Sequence, residues 1–209
     1  MRDLAPDRRQ AASPPMVDTM TRTICWSPTW SKGFECIGLE HVVLSDNTAD
    51  SVLLAITEQG VPFRLTYFLR WDSDGCLRHA DLNLQQAAEG RYLGLRSDGK
   101  GNWRRADGQE LPDLRGCIDI DIWPTPLTNS FPIWRSRLRV GERREFRMAW
   151  ISAPELTVQA KPQAYSRLQD RLYRFESLDG DGFQAELPVD ENDIVVDYPA
   201  LFRRVSVAG

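Results

Sequence analysis

No run of eighteen apolar residues occurs in the 209-residue chain, so the sequence offers no membrane-spanning helix. Excess basic charge is missing too. Lys and Arg number 26 against 30 Asp and Glu, a net charge of -4 with both signs mixed along the chain, so no basic field exists to hold a phosphate backbone. Nucleic acid is therefore not an expected partner. Cysteine is scarce and unpaired: Cys25, Cys36, Cys76 and Cys117 form no C-x-x-C, and only His41 and His79 could complete a zinc site. The expectation is free thiols in a reducing compartment, with no metal and no cofactor.

Catalytic signatures are also lacking. G-x-S-x-G is absent, neither histidine stands in a recognisable triad motif, and no glycine-rich loop opens onto a long helix. Hydrolase, kinase and dinucleotide-enzyme readings lose ground accordingly. The opening M-R-D-L-A-P-D-R-R-Q-A-A-S-P-P has no apolar block of the kind a secretory signal needs, which points to the cytoplasm. Residues 1–20, rich in Pro, Ala, Ser and Arg, read as a disordered tail, and residues 21–209 as one β-barrel-like domain.

What the chain does have is apolar content of 42%, seven tryptophans and a pervasive period of two. That period sends alternate side chains to opposite faces of a sheet. Candidate strands begin with Phe34 to Leu44 and include Ser51 to Glu58, Phe63 to Trp71, Gly75 to Leu84, Arg91 to Ser97 and Arg115 to Trp123. Later ones include Arg137 to Val140, Glu145 to Ile151, Glu155 to Val158, Arg171 to Ser177 and Phe183 to Asp190, and the last lies near Leu201 to Val207. Turn-forming stretches such as D-S-D-G, S-D-G-K-G and L-D-G-D-G separate them. Helix signals are few and short. About a dozen strands joined by short turns predict a mainly β fold, an antiparallel sheet curled into a barrel or half-barrel with an internal cavity. A two-sheet sandwich is the competing architecture.

The stretch G-C-I-D-I-D-I-W-P-T-P-L-T-N-S-F-P-I-W-R, at 116 to 135, carries the clearest candidate chemistry. On a strand, Asp119 and Asp121 share one face with Cα atoms roughly 6.6 Å apart, while Ile118, Ile120 and Ile122 take the other. Such carboxylates could flank a glycosidic bond, share a cation, form the solvated face of an ordinary strand, or accept hydrogen bonds from arginine and ligand hydroxyls. Pro124, Pro126 and Pro132 then force a stiff excursion from the sheet, which offers Thr128, Asn129 and Arg135 as further ligand groups. Aromatic residues near strand ends, Trp103, Tyr165 and Tyr198 among them, either fill the core or form a rim that stacks on ligand rings, sugar included.

Together with A-W-I-S-A-P-E-L at 149 to 156, Q-A-Y-S-R-L at 163 to 168 and F-Q-A-E-L-P-V-D-E-N-D-I-V-V-D-Y-P-A-L-F-R-R at 183 to 204, this stretch resembles the bacterial family named "putative glycolipid-binding", formerly a domain of unknown function. The resemblance implies an antiparallel β-rich fold, partly closed around an apolar cavity and similar to lipoprotein-carrier folds. It also implies ligand-binding positions at Asp119, Asp121, Thr128, Asn129 and Arg135. One departure stands out: where the family is expected to pair two arginines after the Pro-Ile step, here Trp134 precedes Arg135 and Ser136 separates it from Arg137.

The leading expectation is a binding protein for an amphipathic small molecule such as a glycolipid, with its tail against inward apolar faces and its head near Asp119, Asp121, Asn129 and Arg135. The alternatives are an enzyme on a sugar or lipid conjugate with Asp119 and Asp121 as acid/base pair, and a protein-interaction module.

Overall fold

The computed structural model describes residues 21–30 and 37–205. The expected tail at 1–20 and Cys36 lie outside the described residues. Fourteen strands carry the described chain. They are β1 (Arg22–Pro28), β2 (Gly38–Ser45), β3 (Thr48–Ile56), β4 (Pro62–Trp71), β5 (Leu77–Gln86), β6 (Glu89–Ser97) and β7 (Trp103–Arg105), then β8 (Asp119–Trp123), β9 (Arg143–Ser152), β10 (Thr157–Gln169), β11 (Leu172–Ser177), β12 (Gln184–Pro188), β13 (Asp197–Tyr198) and β14 (Phe202–Arg204). One short helix, α1 (Ser130–Ser136), lies between β8 and β9. None of the described helices is long and apolar enough to cross a membrane.

The strands form two sheets, one ordered β13-β14-β1-β2-β3-β4-β5-β6-β7 and the other β12-β11-β10-β9-β8, the second curled into a half-barrel. The expected mainly β fold with few helices is what the chain adopts. Period two explains the large sheet directly. In β4, P-F-R-L-T-Y-F-L-R-W, the side chains of Phe63, Leu65, Tyr67, Leu69 and Trp71 are buried while Arg64, Phe68 and Arg70 are exposed. The register sets Leu53 opposite Leu65 and Leu65 opposite Leu84, so one continuous apolar face forms.

That face packs on Ile120, Met148, Ile151, Tyr165 and Leu187 of the half-barrel, with Phe131 and Ile133 of α1 beside them. Each such side chain, removed from water, contributes about 1.5–3 kcal/mol. These side chains occupy the space between the sheets, and clefts lie at the margins.

Pairing is antiparallel throughout except between β8 and β9, which run parallel. The cause is the excursion after Trp123, because parallel neighbours need a long crossover and α1 lies within it. Pro132 is tolerated in α1 because it falls in the first turn, where a backbone N–H has no helical acceptor. The helix ends at Arg137, whose left-handed φ of 46° lets its N–H reach Ile133 O. Residues 137 to 140, expected as a strand, are this helix exit and a turn, and residues 155 and 156 belong to the turn into β10.

Candidate functional site

The D-x-D strand is covered, not solvated. Ile120 and Ile122 are buried on one side, and the carboxylates on the other meet α1 and β10. Asp119, 1% exposed, accepts from Arg135 Nε at 3.0 Å and from Arg135 Nη2 at 2.5 Å, a two-point grip. Burial pushes its carboxyl up and Arg135 pulls it back. Asp121 has no arginine. It accepts from Thr128 Oγ1 at 3.1 Å and from Gln163 Nε2 at 2.6 Å. Burial raises its pKa, opposed by those two hydrogen bonds and by the charge of Lys161.

Asp121 opens onto a cleft of about 270 Å³ between the half-barrel and the β13–β14 edge of the large sheet. One wall is aromatic. Phe175, Phe183 and Tyr198 form a triangle of rings with centroids 6.0 to 6.3 Å apart, and Trp123 and Phe202 continue it. The lining is also polar and rich in acceptors: Asp121, Asn129, Gln163, Asp179 and Asp181 contribute to it. Lys161 is the cleft's cation, with Nζ 3.9 Å above the Trp150 ring and 2.8 Å from Asp179. Gln163 is 3% exposed, and its Oε1 has no hydrogen-bond partner among the described residues. A buried acceptor in that state is costly unless a ligand or water donates to it.

Behind the cleft floor lies a second carboxylate. Glu40, fully buried on β2, accepts hydroxyls from Tyr67 at 2.7 Å, Ser51 at 3.0 Å and Thr125 at 2.9 Å. Thr125 itself lines the cleft, so Glu40 is one hydroxyl removed from it. Burial pushes Glu40 up to about 7, and the three hydroxyls pull the other way.

The residues expected from the sequence are thus distributed over three places. Asp121, Asn129 and Tyr198 come together in the cleft. Thr128 and Tyr165 stand behind it, fully buried: Thr128 holds Asp121 and the Ile122 N–H, and Tyr165 donates to Asn129 Oδ1 at 2.9 Å. Asp119 and Arg135 pair with each other, and Arg135 faces a different groove with Trp71 and Trp134. Trp103 lies in another groove, its Nε1 donating to Cys117 O at 2.7 Å.

Sequence reasoning did not single out Gln163, Lys161, Trp150, Phe175 or Glu40. For Glu40 a signal existed, since it is in phase with Val42 and Leu44 on the inward face of β2. Gln163 had none, because only the pairing of β10 with β9, and of β9 with β8, brings it to Asp121. No three described His, Cys, Asp or Glu side chains gather in a way that would hold a metal ion.

A family model described as "Putative glycolipid-binding" matches residues 23–204. The crystal structure at 1.80 Å of a DUF1089 family protein from Pseudomonas aeruginosa is similar, with a TM-score of 0.79 and 44% sequence identity over 85% of this chain and 98% of that one. No curated protein matches.

Proposed function

Because the chain belongs to the family described as "Putative glycolipid-binding", we propose that it binds an amphiphile whose uncharged or amine-bearing sugar head enters the aromatic cleft beside Asp121. The observation that carries this reading is the unpartnered Gln163 Oε1 among a surplus of acceptors, in a cleft also lined by aromatic rings. Sugar hydroxyls and ammonium groups are donors, and a sugar's C–H face stacks on aromatic rings. Asp121, Asp179 and Asp181 outnumber Lys161, which disfavours a phosphate or carboxylate head.

The cleft's volume suits one head group more than a whole lipid. With the core filled, the tail leaves past Phe183, 38% exposed, and Leu201 at the cleft wall. The acid/base alternative needs both Asp119 and Asp121 at the ligand, and both Asp119 oxygens are occupied by Arg135.

The test is titration with octyl glucoside, an octyl amino-glucoside and octyl glucuronide below their micelle concentrations, read from the fluorescence of Trp123 and Trp150. The first two should bind, and the anionic glucuronide should bind roughly ten-fold more weakly. Gln163→Ala should weaken glucoside binding by about three- to ten-fold, the worth of one hydrogen bond. Absence of binding by every glycoside, or equal binding by Gln163→Ala, would overturn the proposal.

A further inference from the structure

A second groove, of about 410 Å³, lies on the large sheet's other margin, where β6 and β7 meet the short turn Pro112–Leu114. Its charge is opposite to that of the cleft. Arg78 from β5, Arg96 from β6, Arg104 from β7 and Arg115 from the segment before β8 all line it, against two carboxylates, Asp98 and Glu110. Asp98 is engaged in its own turn: Oδ1 accepts from the N–H groups of Lys100 and Asn102, and Oδ2 from Asn102 Nδ2 at 2.6 Å. It stays ionised but pairs with none of the four arginines.

The four guanidinium groups divide into two kinds. Arg78 and Arg96 are held in place: Arg78 Nε donates to Ser97 O at 3.1 Å, and Arg96 Nη1 donates to Asp81 Oδ1 at 3.0 Å and to Leu95 O at 2.9 Å. Arg104 and Arg115 are exposed, with no ion pair or side-chain hydrogen bond among the described residues. Arg78 also pairs with Asp72 at 3.4 Å, so two arginines are fixed by carboxylates and two are left free, and the free pair is what an incoming anion would meet first. Planar guanidinium forks match phosphate oxygens two at a time, which a scattered set of lysines would not do. The groove is larger than a lone phosphate needs, and Trp103 lines it beside the arginines.

We propose that this groove is a binding site for a phosphomonoester, separate from the aromatic cleft and selective for the charge that the cleft rejects. The phosphate engages Arg104 and Arg115 at the rim with Arg78 and Arg96 behind, and the esterified body lies along Trp103. The same chemistry is presented by a soluble phosphate ester and by a phosphatidic acid head group, and the experiment separates them.

Calorimetric titration of the full chain with glycerol 3-phosphate, and co-sedimentation with phosphatidylcholine vesicles with and without phosphatidic acid, are the two arms. Heat with the soluble ester but no vesicle binding assigns a free metabolite; phosphatidic acid-dependent sedimentation assigns a lipid head group. Either supports the site if Arg104→Glu together with Arg115→Glu weakens it roughly ten-fold or more and Gln163→Ala leaves it unchanged. Both side chains are exposed and form no hydrogen bond or ion pair among the described residues, so the double variant should keep the wild-type circular dichroism spectrum. No binding in either arm up to about 10 mM ester, or binding indifferent to the double substitution, overturns the proposal.

Discussion

Glu40 is a buried carboxylate with three hydroxyl donors and no ion pair among the described residues, and the physics of that position is testable. Its folded-state pKa, about 7, lies above its ordinary 4.5. Between those values the folded protein keeps a proton that the unfolded chain releases, so stability falls as pH rises through this window. The contribution is fully present below pH 4.5 and lost above about 7, an amount on the order of 3 kcal/mol. Glu40→Gln cannot titrate and still offers an acceptor and a donor to the hydroxyl cluster. Urea unfolding at pH 5, 6, 7 and 8 should therefore show Glu40→Gln gaining on the wild type as pH rises. Asp119 and Asp121 are also raised by burial, but both proteins carry them and their effect cancels in the difference. Parallel profiles for the two proteins would mean that Glu40 is ionised throughout.

At the scale of the element, joints between strands decide which residues meet. Gly101, just before β7, has φ of 92°, and its carbonyl accepts from the Gly116 N–H at 2.9 Å. A Cβ there would stand 2.8 Å from Gly116 Cα, in rigid backbone. This contact ties the end of the large sheet to the segment that enters β8. Gly101→Ala should accordingly destabilise the protein by more than about 1 kcal/mol, from both the left-handed backbone and the clash. Chemical denaturation reads this directly, and a neutral result would show that the joint can open without cost.

The same scale marks how far the sequence could be read. Hairpins such as β3–β4 and β4–β5 were legible because alternation in P-F-R-L-T-Y-F-L-R-W has one consistent reading. In F-Q-A-E-L-P-V-D alternation puts Phe183, Ala185, Leu187 and Val189 on one face; the last three are buried, while Phe183 at the end turns to the cleft. Two elements escaped whole, and so did most of β10, where only Glu155 to Val158 was expected as strand. β1 was not among the expected strands, and α1 was hidden because Pro132 reads as part of a stiff excursion from the sheet, whereas it occupies the first turn of a helix. The shared face of Asp119 and Asp121 was legible from β periodicity. Their different fates were not, since Arg135 arrives on α1 and Gln163 on β10, and no local pattern encodes either contact.

On the whole-molecule scale, the two sheets have one apolar cluster in common, running from Trp26 and Leu53 through Phe131 to Met148 and Leu187. Neither sheet can lose its partner without exposing that face to water. The aromatic cleft is likewise built by both, with Phe175 and Gln163 contributed by the half-barrel and Tyr198 and Phe202 by the large sheet's edge. The full chain should then unfold in one calorimetric transition, and a ligand in the cleft should move all of it. At a glycoside concentration of about 100 times its Kd, the added stability is about 2.7 kcal/mol. For a chain of this length that raises Tm by roughly 5–10 °C. Scanning calorimetry with octyl glucoside below its micelle concentration checks this. Two resolved transitions, with one alone shifted, would instead assign the cleft to a single sheet and make the shared core too weak to couple them.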